Sequence, residues 1–389
     1  MSSEPSQPDS TPRSDQRGFD SWVESQLNDI KVANQWRALH PFDAVGPRGG
    51  LNGNHVVSFA SNDYLGLSAH RAVVEAAHSA LDRWGAGSTS SRLLVGTRPV
   101  HEELEQALAE WKKCESALAF PTGFAANLGV LATLGGEDSL VVSDELNHAS
   151  IIDGCRLSRS RVAISRHNDV DHVEMLLRQG GHDRAIVVAD AVFSMDGDMA
   201  PVDELAEVCV RHGALLILDE AHSIFGPDVD HLTAIEDLDL IRIVTFSKSL
   251  GAMGGAACGS RSVIDLLVNR CRSFIFTTGL SPADAAGVLA AIGVLRSAEG
   301  EQLISRLRSL TDRLSPGHSA PIVPLILGEE TVAVAAAANL LERGIFVPAV
   351  RPPTVPTGSA RLRITFSSAH TDEEVDQLID TLDELELRR

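Results

Sequence analysis

Lys248 stands in Thr245-Phe246-Ser247-Lys248-Ser249-Leu250-Gly251, directly after the apolar run Leu240-Ile241-Arg242-Ile243-Val244. The run reads as a mostly buried strand, so the lysine emerges at a strand end among hydroxyls and glycines. A partly desolvated lysine there loses its proton readily and can form a Schiff base with an aldehyde. Taken alone, the segment reads equally well as a helix-start lysine after a strand.

Other stretches favour the chemical reading, with pyridoxal phosphate as the aldehyde. That cofactor is an electron sink that needs fixed parts from the protein. Asp219 ends the apolar run Ala214-Leu215-Leu216-Ile217-Leu218 and suits the pyridinium nitrogen. A strand-end aspartate is also common in turns. His222, three residues on, could bond the ring's phenolic oxygen or orient Asp219. His148, in Asn147-His148-Ala149-Ser150, could stack on the ring, and Ser194, in Phe193-Ser194-Met195-Asp196-Gly197-Asp198, could reach the phenolic oxygen. Gly123 and Phe124 open a helix after Ser116-Ala117-Leu118-Ala119-Phe120. Backbone N–H groups there, with the Thr245 hydroxyl, make a candidate phosphate cradle. Substrate carboxylates want arginine forks, for which Arg351 and Arg363 are candidates. Either one standing alone would read as a surface ion pair.

The elements that must position these residues alternate along the chain. Short apolar strands over 140–143, 162–164, 185–189, 214–218 and 240–246 are separated by helices, among them 170–178 and 202–212. That pattern predicts a mainly parallel sheet covered on both faces, with ligands outside the carboxyl ends of the strands. Each polar motif above follows a predicted strand, so His148, Ser194, Asp219, His222 and Lys248 are expected in one pocket. From Ser281-Pro282 the pattern changes to long helices with few strands, predicting a smaller α+β domain. The expected division is a disordered tail at 1–17, an N-terminal helix and strand segment at 18–58, a large cofactor domain at 59–280 and a C-terminal domain at 281–389. Apolar spacing predicts a helix from Phe19 to about Leu39, with Arg37 in its last turn.

Composition narrows the function. The formal net charge of −20 over 389 residues argues against nucleic acid or an anionic membrane as partner. Five cysteines without metal-like spacing suit a reducing compartment, and no metal is expected. No apolar stretch suits a signal peptide or a membrane span, so a cytoplasmic enzyme is expected.

Asn62-Asp63-Tyr64-Leu65-Gly66-Leu67, Asn147-His148-Ala149-Ser150, Phe193 to Asp198, Asp219-Glu220-Ala221-His222-Ser223 and Thr245-Phe246-Ser247-Lys248 together resemble the α-oxoamine synthases. These are fold-type I pyridoxal-phosphate transferases that condense an amino acid with an acyl thioester and lose CO2. The resemblance implies an α/β fold with a mainly parallel seven-stranded sheet. It also implies Lys248 as Schiff-base lysine and base, Asp219 at the pyridinium nitrogen, and His148 stacked on the ring with an acid role at the thioester carbonyl. Ser194 and His222 fall at the phenolic oxygen, and Gly123, Phe124 and Thr245 at the phosphate. Thr278 would reach the phosphate held by the neighbouring subunit, in a homodimer with shared sites. Arg363 matches the amino-acid carboxylate position, and Asn62, Arg37 and Arg351 match further substrate positions. Arg351-Pro352-Pro353-Thr354-Val355-Pro356 resembles the branch that takes L-alanine and a pimeloyl thioester. A sibling activity on glycine or another acyl chain, or an inactive homologue acting as a binding subunit, are the competing expectations. Departures after Gly87 and at Phe225 and Phe276 bear on the acyl channel and the acyl carrier, and leave the cofactor residues intact.

Overall fold

The computed structural model describes residues 18–33 and 35–388. The expected disordered tail at 1–17 lies outside the described residues. The chain divides into two compact units, Met1–Pro41 and Phe42–Arg389.

In the first unit, one helix spans Phe19–Val32, and none of its residues is buried. It ends seven residues before Leu39, so Arg37 lies beyond it rather than in its last turn. The apolar spacing that suggested a longer helix (Phe19, Trp22, Val23, Leu27, Ile30) is complete by Ile30. The Ala33 N–H closes the end by bonding back to the Asp29 and Lys31 carbonyls.

The second unit is built on seven strands: Ser116–Phe120 (β1), Ser139–Asp144 (β2), Arg161–Ser165 (β3), Arg184–Asp190 (β4), Leu215–Asp219 (β5), Leu240–Thr245 (β6) and Gly255–Gly259 (β7). Their order in the sheet is β1-β7-β6-β5-β4-β2-β3. All neighbours pair in parallel except β7, which is antiparallel to both β1 and β6. The mainly parallel seven-stranded sheet expected from the sequence is therefore present. Alternate side chains feed two cores, as the strand period of two requires. Leu140, Val142, Val187, Leu216 and Leu218 pack towards the helices Val170–Arg178 and Val202–His212. Val141, Ile186, Val188, Ile217, Ile241 and Ile243 pack with residues of the helices Gly123–Leu134 and Arg261–Arg270. Each such Leu or Ile is worth roughly 1.5–3 kcal/mol when fully buried.

Strand β7 is not signalled by propensity, because Gly-Ala-Ala-Cys-Gly has no β-branched residue. It forms by pairing on both sides, with β1 and with β6. A Cβ on Gly255 would lie 2.5 Å from the Gly123 backbone, so a bare strand lets the phosphate-cradle helix approach the sheet.

Past Leu280, the helices Pro282–Leu295 and Ala298–Leu314 lead to a three-stranded antiparallel sheet ordered Ile322–Gly328, Ala360–Thr365, Ala349–Val350. A second small sheet joins the strands Phe42–Val45, Arg48–Leu51 and Asn54–Ser58 to Ile345–Phe346. Among the described residues no helix is long and apolar enough to cross a membrane.

Candidate active site

Strands β4, β5 and β6 end at Asp190, Asp219 and Thr245 on one edge of the sheet. A cavity of about 220 Å³ opens there. Gly123, Phe124, His148, Ser194, Asp219, His222, Thr245 and Lys248 all line it, so the structure brings together eight residues singled out from the sequence.

Lys248 follows β6 and is half-buried. Its Nζ makes no hydrogen bond or ion pair among the described residues. Burial holds its pKa below the ordinary lysine value, against the opposing pull of Asp219 and Asp190. Asp219 is buried and fixed from two sides: Asn127 Nδ2 donates to Oδ2 at 2.6 Å and the Ala221 N–H to Oδ1 at 2.9 Å. The same Asn127 nitrogen donates to Ser150 Oγ at 3.0 Å.

Two histidines present defined faces. His148 caps the helix Ala149–Leu157, its Nδ1 accepting from the Ser150 N–H at 3.2 Å. Burial and Lys248 lower its pKa while Asp219 raises it, with a net lowering. Its ring stands edge-on to Phe124, with centroids 6.4 Å apart. His222 is buried and held well below the ordinary histidine value, first by burial and then by the charges of Lys248 and Arg363. A neutral His222 accepts the Tyr64 hydroxyl at Nδ1, 2.5 Å away, and keeps its proton on Nε2.

The helix Gly123–Leu134 opens at the cavity, capped by Thr122 Oγ1, which accepts from the Ala125 N–H at 3.0 Å. The N–H groups of Gly123 and Phe124 have no acceptor within their own helix, and the dipole adds partial positive charge. A Cβ on Gly123 would meet Thr245 Oγ1 at 2.2 Å, so a glycine is required for that hydroxyl to sit over the helix end.

Arg363 adjoins the cavity from the strand Ala360–Thr365. Its guanidinium is buried and donates to the Ser194 carbonyl (2.7 Å), Thr365 Oγ1 (3.0 Å) and Asn62 Oδ1 (3.3 Å). Among the described residues it forms no ion pair, and donors are left over for a carboxylate. Arg351 lies just after the strand Ala349–Val350 and is half-buried, and Thr278 is exposed; neither lines the cavity. Arg37 is exposed in the separate N-terminal unit.

Four contributors were not singled out from the sequence. Asp190 lines the cavity and is buried, and burial and Asp219 push its carboxyl well above the ordinary range. Its signal was the one that marked Asp219, a carboxylate closing an apolar strand. Asn127 and Ser150 lie within stretches quoted for other residues. Tyr64 was visible only as the sole tyrosine of the chain.

A family model for aminotransferase class I and II matches residues 54–382. A curated 8-amino-7-oxononanoate synthase from Methylobacterium nodulans is 45% identical over 376 residues, which are 94% of this chain and 97% of that one. The chain belongs to the 8-amino-7-oxononanoate synthase family, within the class I and II aminotransferases. Among solved structures, a serine palmitoyltransferase from Sphingomonas wittichii is 31% identical with a TM-score of 0.86, covering 94% of this chain and 96% of its own. A serine palmitoyltransferase from S. paucimobilis, solved with a bound pyridoxal phosphate–myriocin aldimine, is 28% identical, also at a TM-score of 0.86, with 95% and 98% covered. The family resemblance and the fold-type I architecture expected from the sequence are thus borne out.

Proposed function

We propose that this chain binds pyridoxal 5′-phosphate and condenses L-alanine with a pimeloyl thioester, giving 8-amino-7-oxononanoate, CO2 and a free thiol. The observation that carries this reading is the convergence on one cavity of three features. They are an unpartnered, desolvated lysine, a carboxylate anchored by an amide, and a glycine-opened helix end under a threonine hydroxyl. The donor set fits the cofactor, which needs an amine for its aldehyde, an acid for its ring nitrogen and N–H groups for its phosphate. When bound, it supplies an electron sink for the carbanions formed before and after loss of CO2.

The residues then divide the work. Lys248 would hold the aldehyde carbon through its amine and would take the substrate α-proton; burial lowers its pKa and so favours the base form. Asp219, oriented by Asn127, keeps a proton on the ring nitrogen. His222 Nε2–H and the Ser194 hydroxyl donate to the phenolic oxygen. His148 covers the ring and offers its Nε2 proton to the thioester carbonyl. Gly123, Phe124 and Thr245 hold the phosphate. Arg363 with Asn62 takes the alanine carboxylate, and Arg351 and Arg37 serve the distal carboxylates of acyl substrate and product. Thr278, away from its own cavity, serves the phosphate of a second subunit, so the functional unit is a homodimer. The contiguous exposed run Leu93-Leu94-Val95 (51%, 76% and 69%) supports such an association.

The test is reconstitution with the cofactor and assay of L-alanine with pimeloyl-CoA and with a pimeloyl-loaded carrier protein. Glycine with acetyl-CoA and serine with palmitoyl-CoA run alongside. Release of CO2 and the nine-carbon amino ketone from the first pairs supports the reading. Turnover only with a sibling pair, or with none, overturns it. Mixing Lys248→Ala and Thr278→Ala subunits tests sharing, since a mixed dimer of shared sites regains one intact site.

A further inference from the structure

His167 lies in the turn after β3 and does not line the cavity. Each of its ring nitrogens faces a carboxylate oxygen: Nδ1 is 3.1 Å from Asp144 Oδ1, and Nε2 is 2.8 Å from Asp198 Oδ2. Carboxylates only accept, so both nitrogens must carry protons and the ring is an imidazolium. A neutral ring would keep one bond and turn a lone pair against a carboxylate. The two hydrogen bonds push the His167 pKa up to about 10. Asp144 comes from the end of β2, and Asp198 from the loop after β4. Asn168 braces both, its backbone N–H donating to Asp144 Oδ2 at 2.9 Å and its Nδ2 to Asp198 Oδ2 at 2.9 Å. The imidazolium edge also packs at 87° on the Phe193 ring, with centroids 4.5 Å apart.

The segment gripped in this way is Phe193–Asp198. It is closed by the Phe193 N–H on the Asp198 carbonyl at 3.0 Å, and it carries Ser194. Its far side is held by two arginines from one strand. Arg361 bonds the Met195 carbonyl at 3.3 Å and pairs with Asp196, while Arg363 donates to the Ser194 carbonyl at 2.7 Å. The loop thus sits between a cationic clip on the large sheet and the guanidinium assigned above to the alanine carboxylate.

We propose that His167 is a positioning residue: it ties the Phe193–Asp198 loop to the end of β2 and, through the Ser194 carbonyl, sets the aim of Arg363. This rests on the assignment of Arg363 to the amino-acid carboxylate. Releasing the clip lets the Ser194 carbonyl move, so the guanidinium loses its fixed acceptor, while Lys248 and Asp219 stand at other strand ends, outside the released loop. The loss falls on amino-acid binding and spares the acyl substrate.

The experiment compares the wild-type holoenzyme with His167→Gln, which keeps one donor and loses the charge. The expected result is a roughly 10- to 100-fold rise in the KM for L-alanine, as supporting groups around a site commonly give. The KM for pimeloyl-CoA stays unchanged. An unchanged alanine KM, or equal rises for both substrates, overturns the proposal. Should His167→Gln fail to fold, Asp198→Asn, which keeps the shape but removes one carboxylate, carries the same expectation. In the cofactor-free protein, 15N NMR of the His167 ring at pH 8 should find both nitrogens protonated, and a neutral ring overturns the clip. A wild-type protein that takes up neither cofactor nor alanine would instead sink the reading of the site, leaving the NMR result to judge the clip by itself.

Discussion

The hydroxyl of Tyr64 lies 2.5 Å from Nδ1 of His222, and both side chains are buried. Burial pushes the Tyr64 pKa up, so the phenol keeps its proton and donates it. That one proton has two acceptors in reach, His222 Nδ1 at 2.5 Å and Asn62 Oδ1 at 3.2 Å; the shorter contact takes it, which leaves Nε2–H as the His222 donor for a ligand. Tyr64→Phe should leave Nδ1 unpaired and lower stability by about 1–3 kcal/mol. It should also slow turnover roughly tenfold, the equivalent of about 1.4 kcal/mol in the barrier. Denaturant midpoints and kcat read both effects. A variant with wild-type kcat would show that the tautomer does not matter.

Asn127 spends its side-chain amide protons on Asp219 and Ser150. Asn127→Leu keeps approximate volume and removes both bonds. Cofactor affinity and kcat should fall by roughly 10- to 100-fold, the usual cost of losing such a support. Equilibrium titration of the cofactor's visible band measures the first. No change in affinity would mean that the Ala221 N–H alone is enough to hold Asp219.

Gly123→Ala places a Cβ 2.2 Å from Thr245 Oγ1. Cofactor affinity should weaken at least about tenfold by displacement of that hydroxyl. A double-mutant cycle with Thr245→Ala isolates the cause, because residues in contact couple. If the collision is responsible, adding Gly123→Ala to Thr245→Ala costs little more. Full additivity would point to the helix end itself.

Arg242 is almost fully buried, at 2% exposure, and pairs with Glu220 and Asp230, while Lys112 Nζ reaches Glu220 Oε2 at 2.6 Å. Burial pushes the Glu220 carboxyl up, and Lys112 and Arg242 together bring it below the ordinary value. Arg242→Met should destabilise by about 3–5 kcal/mol, since it leaves a buried carboxylate short of its partner. Urea unfolding measures it. A loss under about 1 kcal/mol would mean that Lys112 alone neutralises Glu220.

The imidazolium of His167 gives stability a pH signature. Its folded pKa is raised to about 10 from an ordinary 6.5, so the folded state binds the proton more tightly. That contribution is fully present below about pH 6.5 and is lost as pH rises towards about 10. The stability gap between wild type and His167→Gln should therefore shrink across that window. A gap that is flat with pH would show that the ring contributes by packing alone.

Much of the site was legible because the chemistry follows the strands. Lys248, Asp219, His148 and Ser194 each come just after an apolar run, and parallel topology sends those ends to one edge. Asp190 carried the same signal and was passed over. Strand β7 was not legible, since its small residues carry no strand propensity and its pairing with β1 and β6 is made across the sheet. The helix Phe19–Val32 was read too long because Leu39 and Arg37 were counted into a pattern that had already ended. The hold of Arg363 on the Ser194 carbonyl joins positions 169 residues apart, and no local spacing announces it.

Asp190 and Asp219 stand in register on adjacent parallel strands, which run about 4.8 Å apart. Burial and the neighbouring Asp219 push the Asp190 carboxyl well above the ordinary range, towards its neutral form. Opposite them stands one amine, Lys248. Burial disfavours the charged forms of both Asp190 and Lys248, so the pocket floor offers little fixed positive charge. An incoming phosphate finds no surplus cation on that floor, and its charge must be met by backbone dipoles at Gly123. Dipoles at such short range are screened little by dissolved ions, so cofactor retention should be nearly indifferent to ionic strength, despite the −20 charge of the whole chain.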